Sequence, residues 1–183
     1  MKRFSNTITT IAGAALSCAV FVSAQAQDTA LPTREGPRPV TTDGVPHVQV
    51  GVEVVPEIAA ELLRRVDDIP NVEIRDTVVS LPGAMGFWLE DDLPLARPEV
   101  IVGGREFAHM HPDGSLHASL DPEIARTAIE AGWAVAHPWA NQRPGWEGFV
   151  MIYTPLSDDE LDVVVQLVEG SYSYVTGRSL SDG

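Results

Sequence analysis

Residues 105–120, REFAHMHPDGSLHASL, hold three of the chain's five histidines: His109, His111 and His117. Unprotonated imidazole is both a base near neutral pH and a ligand for transition ions, so the spacing of these three decides what they can do. Pro112-Asp113-Gly114 has the residue types of a three-residue hairpin loop. Pro112 suits the second position of a type I turn, Asp113 the third, and Gly114 the left-handed position that follows. That loop sets a register in which His111 faces Ser115, Met110 faces Leu116 and His109 faces His117. His109 and His111 are two residues apart and share one face of the sheet. His117, directly across from His109, joins them with Cβ atoms about 4.5–5.5 Å apart. Met110 and Leu116 then point the other way, toward a helix layer. A slip of one residue would send His117 to the opposite face.

Three neutral imidazoles on one face can bind a divalent transition metal, zinc at about 2.0–2.1 Å or iron, copper or nickel, with an open position for water or substrate. They can also act as general bases, since clustered imidazoles depress one another's protonation. A polar sheet face whose histidines bond to backbone and solvent is the third reading, and the residues alone leave all three open. His137 ends the strand-like WAVAH, precedes Pro138, and joins the cluster if its strand borders the hairpin. Trp139 and Trp146, in the loop HPWANQRPGWEG, are candidates for a substrate pocket, whereas Trp133 and Tyr153 read as core. Asp113 is explained by its turn, and His47, in a Pro-rich arm, receives no role.

The elements that must position these residues follow from periodicity and caps. The spacing of Ile58, Ala59, Leu62, Leu63 and Val66 predicts a helix over 56–68, entered at Pro56. NVEIRDTVVSL and GAMGFWLED read as strands joined near Pro82-Gly83. Asp121 caps a second helix that Gly132 stops. Residues 133–137 and 148–154 read as strands. Ser157 and Glu160 have capping-box spacing at the head of a final helix, whose inner face carries Leu161, Val164, Val165, Val168 and Tyr172. Strict strand–helix alternation is missing, which predicts an α+β fold in a single domain: an antiparallel sheet with helices packed mainly on one face.

Composition bounds the setting. Lys2 and Arg3, an apolar run and the small-x-small AQA at 24–26 read as a signal peptide over residues 1–26, cut after Ala26, with an uncleaved N-terminal membrane anchor as the alternative. Periplasmic or secreted location follows. Residues 27–47 read as a Pro-rich extended arm and 48–183 as the folded domain. Cys18 is the sole cysteine, so a chain cut at Ala26 has no disulfide and no thiolate chemistry. Twelve Lys and Arg against 26 Asp and Glu give a net charge of −14. No basic stripe is present, which excludes nucleic acid as the expected partner, and no stable membrane insertion is expected after signal cleavage. Gly-rich phosphate loops, dinucleotide fingerprints and a G-x-S-x-G elbow are absent.

REFAHMHPDGSLHASL, AGWAVAHPWA and MIYTPLSDDELDVVVQLVEGSYSYVTG, together with TREGPRP at 33–39, resemble the luciferase-like domain family in one order over roughly residues 33–177. The resemblance implies an oxygen-dependent reaction. Fungal members add O2 to a hydroxylated pyrone, with no nicotinamide or ATP at that step. It implies His109, His111, His117 and His137 as the working residues, and Arg34, Glu35 and Arg38 as parts of an ordered arm. The chain departs from the fungal members in its cleavable-looking N-terminus and in its Pro-Asp-Gly turn, and light emission is not expected of it. The resulting expectation is an exported oxygenase-like enzyme whose partners are O2 and a small aromatic or enol substrate. Either it has no cofactor, or a divalent transition metal is held by His109, His111 and His117. A non-enzymatic module that binds a small ligand or a metal is the alternative.

Overall fold

The computed structural model describes residues 31–180; the expected signal segment, 1–26, lies outside them. A short hairpin, β1 (Val40–Thr41) and β2 (Gln49–Val50), precedes helix α1 (Pro56–Asp67). Strands β3 (Val72–Asp76), β4 (Met85–Leu89), β5 (Glu106–Met110) and β6 (Leu116–Ser119) follow. Helix α2 (Pro122–Glu130), strands β7 (Ala134–Ala136) and β8 (Phe149–Ile152), and helix α3 (Asp158–Thr176) come next among the described residues. The six longer-range strands form one antiparallel sheet in the order β3-β4-β5-β6-β8-β7. This is the expected α+β architecture.

Local chemistry places the helices. Pro56 opens α1 where its missing N–H costs nothing. The Asp121 carboxylate accepts the Glu123 N–H at 2.9 Å and caps α2. Ser157 Oγ accepts the Glu160 N–H at the head of α3, and Gly177, left-handed, ends it. One face of the sheet meets this helix layer: Phe87, Leu89, Met110, Leu116, Val150 and Ile152 pack with Leu62, Val66, Leu161, Val164, Val168 and Tyr172 in one core. Tyr172 is fully buried against the Phe107 ring. Among the described residues, no helix is long and apolar enough to cross a membrane.

The opposite face of the sheet is covered by loops and by the arm. The arm runs over the surface pinned at several points rather than hanging free. The Arg34 N–H donates to Ala131 O at 2.8 Å, and the Arg34 guanidinium pairs with Glu160 at 3.2 Å with its side chain mostly buried. Arg38 donates to Ile129 O at 2.7 Å. Gln49 Nε2 donates to Thr154 Oγ1 at 2.6 Å. β3 is shorter than the apolar run that predicts it. From Thr77 the chain leaves the ladder, because the N–H of Val78 turns inward to the Glu106 carboxylate.

The hairpin β5–β6 has the register that its turn residues predict: Met110 opposite Leu116 and His109 opposite His117, with the His111 N–H donating to Ser115 O at 2.8 Å. Gly114 sits at φ +83°, and a Cβ there would stand 2.8 Å from Thr154 Cγ2 and 3.0 Å from Val54 Cγ2. Gly114→Ala therefore adds left-handed strain to a contact with no room. It is expected to lower stability by about 2–3 kcal/mol with an unchanged urea m-value; a loss below about 0.5 kcal/mol would contradict this turn geometry.

Candidate functional site

All five histidines converge on the sheet face away from the helices, each between 2 and 5 % exposed. β5 supplies His109 and the turn that follows it His111; β6 supplies His117. His137 follows β7, and its N–H donates to Phe149 O at 3.0 Å, which extends the pairing with β8. The arm brings in His47, between the short strands β1 and β2. Ring centroids lie 4.6 Å apart for His111 and His117, 4.5 Å for His117 and His137, and 5.3 Å for His47 and His117. The four histidines singled out by sequence are therefore together, and a fifth joins them. His47 was hidden because an irregular Pro-rich segment carries no periodicity from which to read its docking.

A buried carboxylate organises the cluster. Glu106 Oε1 accepts from His109 Nδ1 at 2.9 Å and from Thr77 Oγ1 at 2.7 Å, while Oε2 accepts the Val78 N–H at 2.9 Å. Glu106 and His109 are three apart, a spacing that puts residues of a regular strand on opposite faces. A bulge resolves this. Phe87 pairs with Ala108 and Trp88 with Glu106, so Phe107 is the extra residue. Phe107 and Ala108 both enter the helix-side core, and Glu106 returns to the face of His109.

The hydrogen bonds assign the ring protons. A carboxylate only accepts, so His109 carries a proton on Nδ1 and turns Nε2 toward the other rings. Nε2 lies 3.1 Å from His117 Nδ1, and His117 Nε2 lies 3.2 Å from His47 Nδ1. Ser115 Oγ donates to Asp113 Oδ1 at 2.7 Å and so accepts, at 2.9 Å, from His111 Nδ1. His111 Nε2 is then a lone pair. His137 is reversed: its Nδ1 accepts the Trp139 N–H at 3.0 Å, which places its proton on Nε2.

Burial disfavours the charged form of four of these rings. Desolvation first, and His109 second, hold His111 down to about 4. Desolvation first, then His47, pushes His137 down to about 3. His117 lies well below the ordinary range through burial and then through its four histidine neighbours, and burial lowers His47.

These rings line a cavity of about 280 Å³ with Val45, Val79, Leu81, Val102, Trp139 and Phe149. Its lining is mostly apolar, and Phe149 packs against His137 with centroids 4.2 Å apart. Trp139 lines the cavity. Trp146 stands behind it, its ring stacked on Trp139 at 6.2 Å and its Nε1 donating to Glu99 O. Two triads place one ligand nitrogen per residue within 4.8 Å of the others: His109, His111 and His117, and His47, His117 and His137.

Residues 104–171 match the family model described as Luciferase domain. The chain is 31 % identical over 166 residues to a luciferase of Armillaria gallica, covering 80 % of this chain and 61 % of that protein. It is 32 % identical over 167 residues to a luciferase of Neonothopanus nambi, with the same coverage. The chain thus spans about 61 % of the length of these curated relatives. No solved structure matches it.

Neutral buried histidines make stability pH-dependent. The folded-state values of His111 and His137 lie below the 6.5 of the unfolded chain, so the unfolded chain binds more protons as pH falls. Their contribution is complete above about 6.5 and is lost from there down to about 3. The urea midpoint is therefore expected to fall between pH 7 and pH 5, above the range where carboxylates titrate, and to fall less in His111→Gln and His137→Gln. A flat midpoint over that window would contradict neutral burial.

Proposed function

We propose that this chain, which belongs to the luciferase-like domain family, catalyses an O2-dependent oxidation of a small aromatic or enol substrate, pyrone-like in class, at the histidine cluster. The observation that carries this reading is the pairing of neutral imidazoles of fixed proton position with a largely apolar cavity. The relatives are named luciferases, and the family resemblance read from the sequence implies an oxygen-dependent reaction. The expected signal peptide supports action in the periplasm or outside the cell.

The chain's residues suit each part of such a reaction. A cavity of about 280 Å³ with a mostly apolar lining suits a one- or two-ring substrate. The lone pair at His111 Nε2, held toward use by the Asp113–Ser115 pair behind Nδ1, takes the acidic hydroxyl proton of the enol. His137 Nε2–H donates to the oxygen on which negative charge develops. The enolate carbon passes its electron pair to O2, a carbon–oxygen bond forms, and the peroxide oxygen recovers the proton from His111. Atoms and electrons balance with substrate and O2 alone.

Oxygen uptake over a panel of hydroxypyrones and catechols tests the reading. At least one compound is expected to consume O2 stoichiometrically with its own loss. His111→Gln is expected to lower kcat about 10²–10⁴-fold while the protein stays folded by circular dichroism. His137→Gln is expected to lower it about 10²–10³-fold. Compounds that bind without O2 uptake would instead identify a non-enzymatic small-ligand module.

A further inference from the structure

We propose that His109, His111 and His117 hold one divalent transition-metal ion, oriented from behind by Glu106, Ser115 and His47, and that His137 is not a ligand. The three ligands offer one nitrogen each within 4.8 Å of the others. What distinguishes this triad from the other is the fate of the second ring nitrogen. A ligating imidazole characteristically donates its remaining N–H to a carboxylate or another acceptor, which fixes the ring and raises its basicity.

Each of the three meets that requirement separately. His109 Nδ1–H donates to Glu106, which leaves Nε2 for the ion. His111 Nδ1–H donates to Ser115 Oγ, whose own proton is drawn to Asp113, which leaves Nε2. His117 presents Nδ1 to His109 Nε2 at 3.1 Å. Two nitrogens on one tetrahedral ion at about 2.0–2.1 Å stand about 3.3 Å apart, so this approach suits a shared ion as well as a hydrogen bond. With Nδ1 on the ion, His117 Nε2–H donates to His47 Nδ1 at 3.2 Å.

His137 fails the same requirement. Its one lone pair already accepts the Trp139 N–H, so its Nε2 bears hydrogen. Ligation would demand an imidazolate or the loss of that bond. The triad of His47, His117 and His137 therefore does not complete a second site, and the stoichiometry is one ion. Three nitrogen donors without thiolate or carboxylate select the zinc, copper, cobalt, nickel and iron class over magnesium or calcium. The inference rests on the same cluster as the proposed reaction: an ion there would be held by His109, His111 and His117 and would supply Lewis acidity toward the substrate hydroxyl, and the base role of His111 belongs to the metal-free protein. Ion binding itself is read without substrate.

Zn²⁺ titration of chelator-treated protein by calorimetry, with Co²⁺ absorption as a second readout, tests it. One equivalent is expected, with visible Co²⁺ bands of a four-coordinate nitrogen site. His109→Ala, His111→Ala and His117→Ala are each expected to weaken Zn²⁺ binding more than about 100-fold, and Ser115→Ala, which keeps every ligand, about 10–100-fold. His137→Ala is expected to stay within about threefold of the parent. Melting curves identify any variant that fails to fold, and the Ser115 and His137 variants then decide. Two equivalents, or equal losses in His137→Ala and His111→Ala, would overturn the assignment. No Zn²⁺ or Co²⁺ binding alongside measurable O2 uptake would overturn the ion and leave the oxidation reading intact; tight binding with no oxidised substrate would do the reverse.

Discussion

The Glu106 carboxylate sets the polarity of everything around the cavity. Its oxygens accept from His109, from Thr77 and from the Val78 backbone. The first bond fixes which nitrogen of His109 faces the cluster. The other two draw residues 77–81 off the strand, where Val79, Ser80 and Leu81 become cavity wall. A buried carboxylate without such partners would carry a desolvation penalty of several kcal/mol. Here three donors meet it, and the same three contacts build the site. The β5 bulge makes this geometry available, because it turns a three-residue spacing into a shared face.

The sheet divides labour between its faces. The helix side is apolar and continuous, and it holds the strands at fixed register. The other side carries five buried imidazoles, each with a bonded ring nitrogen. Burial both makes those bonds necessary and disfavours the charged forms of His47, His111, His117 and His137, so packing and reactivity have one cause. The arm belongs to the site for the same reason. Its anchors at Arg34, Arg38 and Gln49 deliver His47 behind His117.

The turn HPDGS was enough to place His109 and His117 opposite one another, because Gly114 and Pro112 admit few loop conformations. The helices were legible from Asp121, Ser157 and their apolar stripes. Trp139 was legible as a cavity residue from its loop, and Trp146 lies one ring further out. Glu106 was not legible: alternation assigns it to the wrong face, and a bulge leaves no local periodic mark. The available signal was a carboxylate inside a strand of otherwise buried residues. His47 was not legible either, since only tertiary bonds fix the arm. The direction of each imidazole required the structure, because it depends on Ser115, Trp139 and Glu106 together.

Those directions are the centre of the account, and nitrogen-15 NMR of the imidazoles reads them directly. At pH 7, in metal-free protein, long-range proton–nitrogen correlations are expected to show neutral rings for His111, His117 and His137, with His111 protonated at Nδ1 and His137 at Nε2. A His111 protonated at Nε2, a His137 protonated at Nδ1, or imidazolium signals from His111, His117 or His137 at that pH would contradict it.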